Sequence, residues 1–254
     1  MQLSHVIPAL FVALLLTAGP RPASAGFLKT ITIDGSFSDW TGVPVVDSDG
    51  GDNSGGPDIG DTQIANDDDF LYIRNTFPNG LALSTFITID IDENSATGFD
   101  FAGLGLIGSE VGWQNDFPFT QSAGVFNNGL GMSGDFFGSG AALLLPFANA
   151  LSRELAISLA ITLNEDGSKV FPDDTIRLLV WTDQGVGADG LPSSDSADSG
   201  DNFDVSAVIE YTLASRGDIP VPEPSAVSVF LAAIGMFGLA RRRKRDMNRL
   251  FGPR

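Results

Sequence analysis

Three oxygen-bearing side chains at alternate positions, Asp90, Asp92 and Asn94, stand where a run of β-branched residues enters a turn. Calcium is held by six to eight oxygens, and closely spaced Asp and Asn side chains supply several of them from one short loop. The spacing matches the first half of a calcium loop but lacks the following Gly and the closing Glu of an EF-hand. Such a site has to be completed from elsewhere, by Asp100, by backbone carbonyls or by another acidic loop. The alternative is a solvated turn in which Asp and Asn simply favour the geometry. Two further acidic stretches, 47–61 and 183–204, are too irregular to define coordination. Trp113, in a polar stretch, and Trp181, at the end of an apolar run, are candidate platforms for stacking on a sugar face. Trp40 and Tyr72 read as core.

Other chemistries are excluded early. The chain has no cysteine, and its single histidine, His5, lies in an N-terminal segment expected to be removed. A domain without either residue has no Ser-His-Asp triad, no thiolate nucleophile and no ordinary zinc site. A pair of carboxylates of a glycoside hydrolase is the remaining catalytic route. Among so many acids mere proximity says nothing, and enzymatic activity is not expected. Between residues 26 and 220, six basic residues face thirty acidic ones, a net charge of −24. Such a surface repels phosphate backbones and excludes nucleic acid as a partner.

The elements that must position these residues read as strands. Segments 27–33, 70–74, 83–91, 155–161, 176–182 and 205–213 are rich in β-branched and aromatic residues and are separated by Gly and Asn/Asp clusters. In 83–91 the alternation places Phe86, Thr88 and Asp90 on one face and Ile87, Ile89 and Ile91 on the other. Segment 141–151 fits either a short helix or a buried strand. The expected class is all-β, a two-sheet antiparallel β-sandwich of jelly-roll-like form.

A particular order of residues narrows this. Ile33-Asp34-Gly35 is followed by Asp39-Trp40, then by Ala65-Asn66-Asp67-Asp68-Asp69-Phe70-Leu71-Tyr72-Ile73. Next come Ile89-Asp90-Ile91-Asp92-Glu93-Asn94 with Thr97-Gly98, and finally Arg153-Glu154-Leu155-Ala156-Ile157. This order, spanning roughly 31–165, resembles the family 9 carbohydrate-binding modules and their relatives. The resemblance implies a sandwich, often calcium-bearing, that holds sugars between aromatic side chains, and it makes Glu154 structural.

The two ends are of a different kind. Residues 6–18 are an apolar run of 13, too short to span a bilayer but suited to a signal peptide, and Ala23-Ser24-Ala25 is a small-x-small cleavage site ending at Ala25. Near the other end, Pro222-Glu223-Pro224 precedes 16 uncharged residues and the cluster Arg241-Arg242-Arg243-Lys244-Arg245. The cations should remain cytoplasmic, leaving everything upstream outside. This order resembles the PEP-CTERM sorting signal of Gram-negative bacteria. That resemblance implies recognition by a membrane exosortase, a single-pass hydrophobic helix before processing, and a setting of exopolysaccharide and biofilm. The expected organisation is a signal peptide at 1–25, a sandwich at 26–214, a linker at 215–221, the sorting signal at 222–245 and a tail at 246–254. The expected function is an exported, surface-anchored or released domain that binds extracellular polysaccharide, with possible calcium support. An acidic matrix protein without a sugar pocket is the second expectation.

Overall fold

The structure, a computed structural model, describes residues 24–53, 56–82, 85–137, 150–182 and 204–215. Those up to Ala214 belong to one compact unit, and Ser215 begins another. Among the described residues fourteen strands follow one another: β1 (Ser24–Ala25), β2 (Val45–Ser48), β3 (Asp61–Asn66), β4 (Phe70–Thr76), β5 (Thr85–Asp90), β6 (Phe99–Asp100) and β7 (Gly108–Ser109). After them come β8 (Val111–Gln114), β9 (Phe117–Thr120), β10 (Met132–Ser133), β11 (Ser152–Ser158), β12 (Thr162–Leu163), β13 (Thr175–Thr182) and β14 (Ile209–Thr212). Six of them form one sheet in the order β1-β14-β13-β5-β8-β9, and four form a second in the order β11-β4-β3-β2. All pairings within these sheets are antiparallel except β1 with β14. The fold is the expected two-sheet β-sandwich.

The alternation within each strand explains why the sheets face each other. Ile87, Ile89, Val111, Trp113, Leu178 and Val180 of the six-stranded sheet meet Ile64, Leu71, Ile73, Leu155 and Ile157 of the other in the central core. Burying each of these side chains stabilises the fold by about 1.5–3 kcal/mol. The opposite faces are covered too. On the outside of the six-stranded sheet, Phe86, Leu179, Trp181 and Phe119 lie beneath Phe101, Ile107 and Phe126 of the following loops. On the outside of the four-stranded sheet, Ala65, Tyr72 and Ala156 lie beneath Ile31, Trp40 and Val43. Every residue of β5 is therefore buried, although its sequence alternates.

Several expectations shift. Segment 27–33 is not a regular strand: it touches the second sheet through one bridge, Leu28 to Asn66, and lies across that sheet's outer face as a cover. The strand expected at 155–161 begins earlier, at Ser152, and ends at Ser158. That expected at 205–213 pairs regularly only over Ile209–Thr212, with Val205 bridging Trp181. The β8–β9 hairpin was missed because Gly112, Asn115 and Pro118 read as loop. Segment 141–149 lies outside the described residues, as do residues 183–203 of the third acidic stretch.

Candidate metal centre

Asp90 closes β5, where Arg177 of β13 stands opposite and its Nη1 donates to Asp90 Oδ2 at 2.9 Å. The chain then turns. The backbone N–H of Asn94 donates to Oδ1 of both Asp90 (3.1 Å) and Asp92 (3.0 Å), and the Thr97 hydroxyl donates to Asp92 at 2.8 Å. The turn closes against Glu110, just before β8. Glu110 Oε2 accepts from the N–H of Ile91 at 3.0 Å, while Oε1 is buried without a hydrogen-bond partner. A Cβ at Gly98 (φ 64°) would stand 2.5 Å from that oxygen, so this position requires glycine for space as well as for backbone conformation.

Asp90, Asp92 and Glu110 each bring a carboxylate oxygen to within 4.8 Å of the others. Burial, and next the charges of Asp92 and Asp90, push the Glu110 carboxyl up to about 7. Burial raises Asp90 as well, against the opposing pull of Arg177. Three converging hard oxygen donors with one buried and unmatched suit a divalent cation, which removes the repulsion that otherwise favours the proton. A carboxyl held near neutrality also has the acidity of a general acid. Here, however, Oε1 faces the backbone of the Gly98 turn rather than an open cleft.

The structure thus joins two of the four sequence-expected metal residues. The Asn94 side chain points back into its own turn, with Oδ1 accepting from the N–H of Ala96 at 3.2 Å. The exposed Asp100 accepts from the N–H of Gly105 at 2.8 Å and is outside the three-carboxylate group. Glu110 was not foreseen. It is 18 residues beyond Asp92, and only the antiparallel pairing of β5 with β8 brings it back. No local spacing signals it.

The tryptophan platforms need correction. Trp113 is 0% exposed and Trp181 7%. Trp113 points into the central core, because β8 is an interior strand carrying it on the inner face. Trp181 stacks on Phe86 with ring centroids 4.0 Å apart, and its indole N–H donates to the Thr88 hydroxyl at 2.9 Å. Neither ring presents a face to solvent.

A second acidic group occupies the opposite end of the sandwich, where Asp49, Asp52 and Asp204 bring carboxylate oxygens within 4.8 Å. Backbone amides organise this end. The N–H of Ile59 donates to Asp204 at 2.6 Å, that of Gly51 to Asp58 at 2.9 Å and that of Ala207 to Asp47 at 3.2 Å. The first acidic stretch and the last residue of the third are thereby one unit.

Glu154 anchors a separate network. Its Oε1 accepts from the N–H groups of Asp34 (3.0 Å) and Gly35 (2.9 Å), and its Oε2 from the indole N–H of Trp40 at 2.8 Å. The carboxylate thus ties the first and last of the ordered motifs together beneath the covering segment.

The comparisons with known proteins add one assignment. Residues 220–245 match the PEP-CTERM protein-sorting motif. The chain carries this sorting signal. It marks an exported protein of the bacterial cell envelope, and its residues, Pro222, Glu223, Pro224 and the cations Arg241 to Arg245 among them, lie outside those the structure describes. Among the described residues no helix is long and apolar enough to cross a membrane. No curated protein sequence matches the chain. Among solved structures, the chain is similar to a family 9 carbohydrate-binding module from Caldicellulosiruptor kristjanssonii in complex with glucose. That likeness covers 79% of this chain and all of the other at 16% identity, with a TM-score of 0.41.

Proposed function

We propose that this chain delivers a non-catalytic carbohydrate-binding sandwich to the outside of a Gram-negative cell, where extracellular polysaccharide is its partner and calcium its structural ion. The observation that supports this reading most is the Glu154 network. Asp34, Gly35, Trp40 and Glu154, which carry the sequence resemblance to sugar-binding modules, are bonded to one another across about 120 residues of chain. Residues that recur together in a family and also hold each other in place are unlike a chance succession of short motifs.

In this reading calcium sits among Asp90, Asp92 and Glu110 and fixes the 91–98 turn, with backbone oxygens or water completing its shell. Exosortase processes the sorting signal, and the 225–240 segment anchors the chain in the membrane beforehand. The test is binding of the exported protein to a panel of soluble glycans, including the producer's own exopolysaccharide, with calcium and then with chelator. Saturable binding to particular neutral glycans supports the reading. Binding that merely tracks ionic strength instead indicates an acidic matrix protein acting through charge.

A further inference from the structure

With Trp113 and Trp181 both packed inside, a sugar needs an aromatic face elsewhere. Phe117 offers one, being 56% exposed. Among the described residues, three of the five large apolar side chains left in solvent, Phe117, Val125 and Leu130, fall on β9 or on the loop after it. Such residues scattered singly need no explanation, but gathered at one edge of a sheet they mark a surface with a use.

The register accounts for the uncovered ring. Phe117 is paired with Gln114 across the β8–β9 hairpin, and Gln114 with Phe86 of β5. Directly paired residues carry their side chains on the same face, so all three belong to the outer face of the six-stranded sheet. There Phe101, Ile107 and Phe126 cover Phe86 and Phe119. Phe117, at the far end of the last strand, lies beyond that cover. Beside its ring, the half-buried Gln114 has a side-chain amide that makes no hydrogen bond among the described residues. An amide offers both a donor and an acceptor.

This edge is closed to another strand. The backbone groups of β9 that face away from β8 are those of Pro118, which has no N–H, and of Thr120. The Thr120 N–H donates to the Gly129 carbonyl at 2.9 Å, and its carbonyl accepts from the Asn128 N–H at 2.8 Å. A second copy or an extended peptide therefore finds no backbone donor on β9 to pair with. What is left is a side-chain surface, a ring face with a free amide at its border. A pyranose matches it, with an apolar C–H face and hydroxyls at the rim that both donate and accept. The acidic surface of the domain repels a polyanion.

We propose that the outer edge of the six-stranded sheet is the glycan-binding surface, where one neutral pyranose ring stacks on Phe117 and a hydroxyl of it bonds the Gln114 amide. This rests on the carbohydrate-binding reading and gives it a place and a ligand class. Leu130, 57% exposed and next to the Gly129 that bonds β9, continues the apolar contact along the strand.

The experiment is calorimetric titration of the exported full chain with cellohexaose, maltohexaose and an oligogalacturonate. The variants Phe117→Ala, Phe117→Tyr and Gln114→Ala are titrated alongside, with Leu151→Ala, which removes an equally exposed apolar side chain from β11's end of the other sheet, as the control. Expected is binding of a neutral hexamer over the galacturonate. Phe117→Ala should weaken it about tenfold and Gln114→Ala about fivefold, one hydrogen bond's worth. Phe117→Tyr should retain binding, Leu151→Ala should leave it unchanged, and circular dichroism should be the same throughout. Neutral-glycan binding untouched by Phe117→Ala and Gln114→Ala overturns the surface while leaving the domain a carbohydrate binder. An equal loss in Leu151→Ala overturns it as well, and preference for the galacturonate overturns the neutral ligand. A dimer in sedimentation that Phe117→Ala dissolves, with glycan binding intact, would assign the edge to a second copy instead. Absence of binding to every glycan by the folded protein overturns the surface and the carbohydrate reading together.

Discussion

Glu154 and Glu110 each hold a covering loop against the sandwich, and their surroundings are opposite. Glu154 is fully buried and meets N–H donors alone: two backbone amides and an indole. Glu110 meets one backbone amide on Oε2, nothing on Oε1, and the carboxylates of Asp90 and Asp92 beyond. A carboxylate surrounded by donors is finished, and its role is to fasten. A carboxylate surrounded by other carboxylates has a charge still to be met, which is why the proposed function places a cation there.

The contrast can be broken by experiment. Its largest expected effect is at the finished site. Glu154→Gln turns an amide NH₂ toward donors it cannot match and should cost about 3 kcal/mol of stability, equally with and without calcium, in urea denaturation. A loss that calcium repairs would mean the two sites are not distinct. Next in size is the response to calcium. At a hundredfold excess over its dissociation constant, calcium should add about 2.7 kcal/mol and raise Tm by roughly 5–10 °C, and Glu110→Gln should abolish the gain. An undiminished gain in that variant would place the ion elsewhere, the Asp49, Asp52 and Asp204 group being the obvious alternative.

The pH dependence is smaller. Glu110 titrates at about 7 in the folded protein and from an ordinary value of 4.5 when unfolded. The folded state therefore keeps a proton that the unfolded state releases, and with chelator present stability falls as pH rises from 4.5 to 7. Because the residue is only half-buried, solvent screening holds this to about 1 kcal/mol. Calcium, which binds the ionised form, should flatten or reverse the slope. A slope of the same sign and size in Glu110→Gln would assign it to another group. The smallest effect belongs to Asp100→Asn, expected to change stability by less than about 0.5 kcal/mol and to leave the calcium response intact. A lost response would return Asp100 to the metal centre.

The same contrast shows what the sequence made legible. Residues whose work is done within a turn announced themselves. Asp92 receives the Asn94 amide and the Thr97 hydroxyl, Asp67 the amides of Asp69 and Phe70, and such short-range bonds leave a fixed spacing. The Asp34-Gly35, Trp40 and Glu154 network spans a long gap, yet its parts were visible because each sits in a recognisable run. The strands β4, β5 and β13 followed from β-branched alternation. Glu110 and Trp113 were obscured for one shared reason. Both belong to the β7–β9 region, whose strands are two to four residues long and interrupted by Gly112 and Asn115, so neither periodicity nor turn signals resolve them. Trp181 misled differently. Its place at the end of an apolar run suggested an open platform, whereas Phe101 and Phe126 fold over the ring. A cover contributed by distant chain leaves no mark beside the residue it covers.

The sandwich also closes upon itself at one corner. The N–H of Phe27 donates to the Tyr211 hydroxyl, that hydroxyl to Asn66, and Asn66 in turn binds the backbone of Ala214. The two ends of the domain are therefore neighbours, and a short linker from Ala214 to Phe27, with the chain opened at the Asn115–Asp116 turn, should give a circular permutant with the same sheets apart from β1. A unit of this kind is a cassette: it can be set into the middle of another polypeptide, or repeated along one, without prising that chain apart.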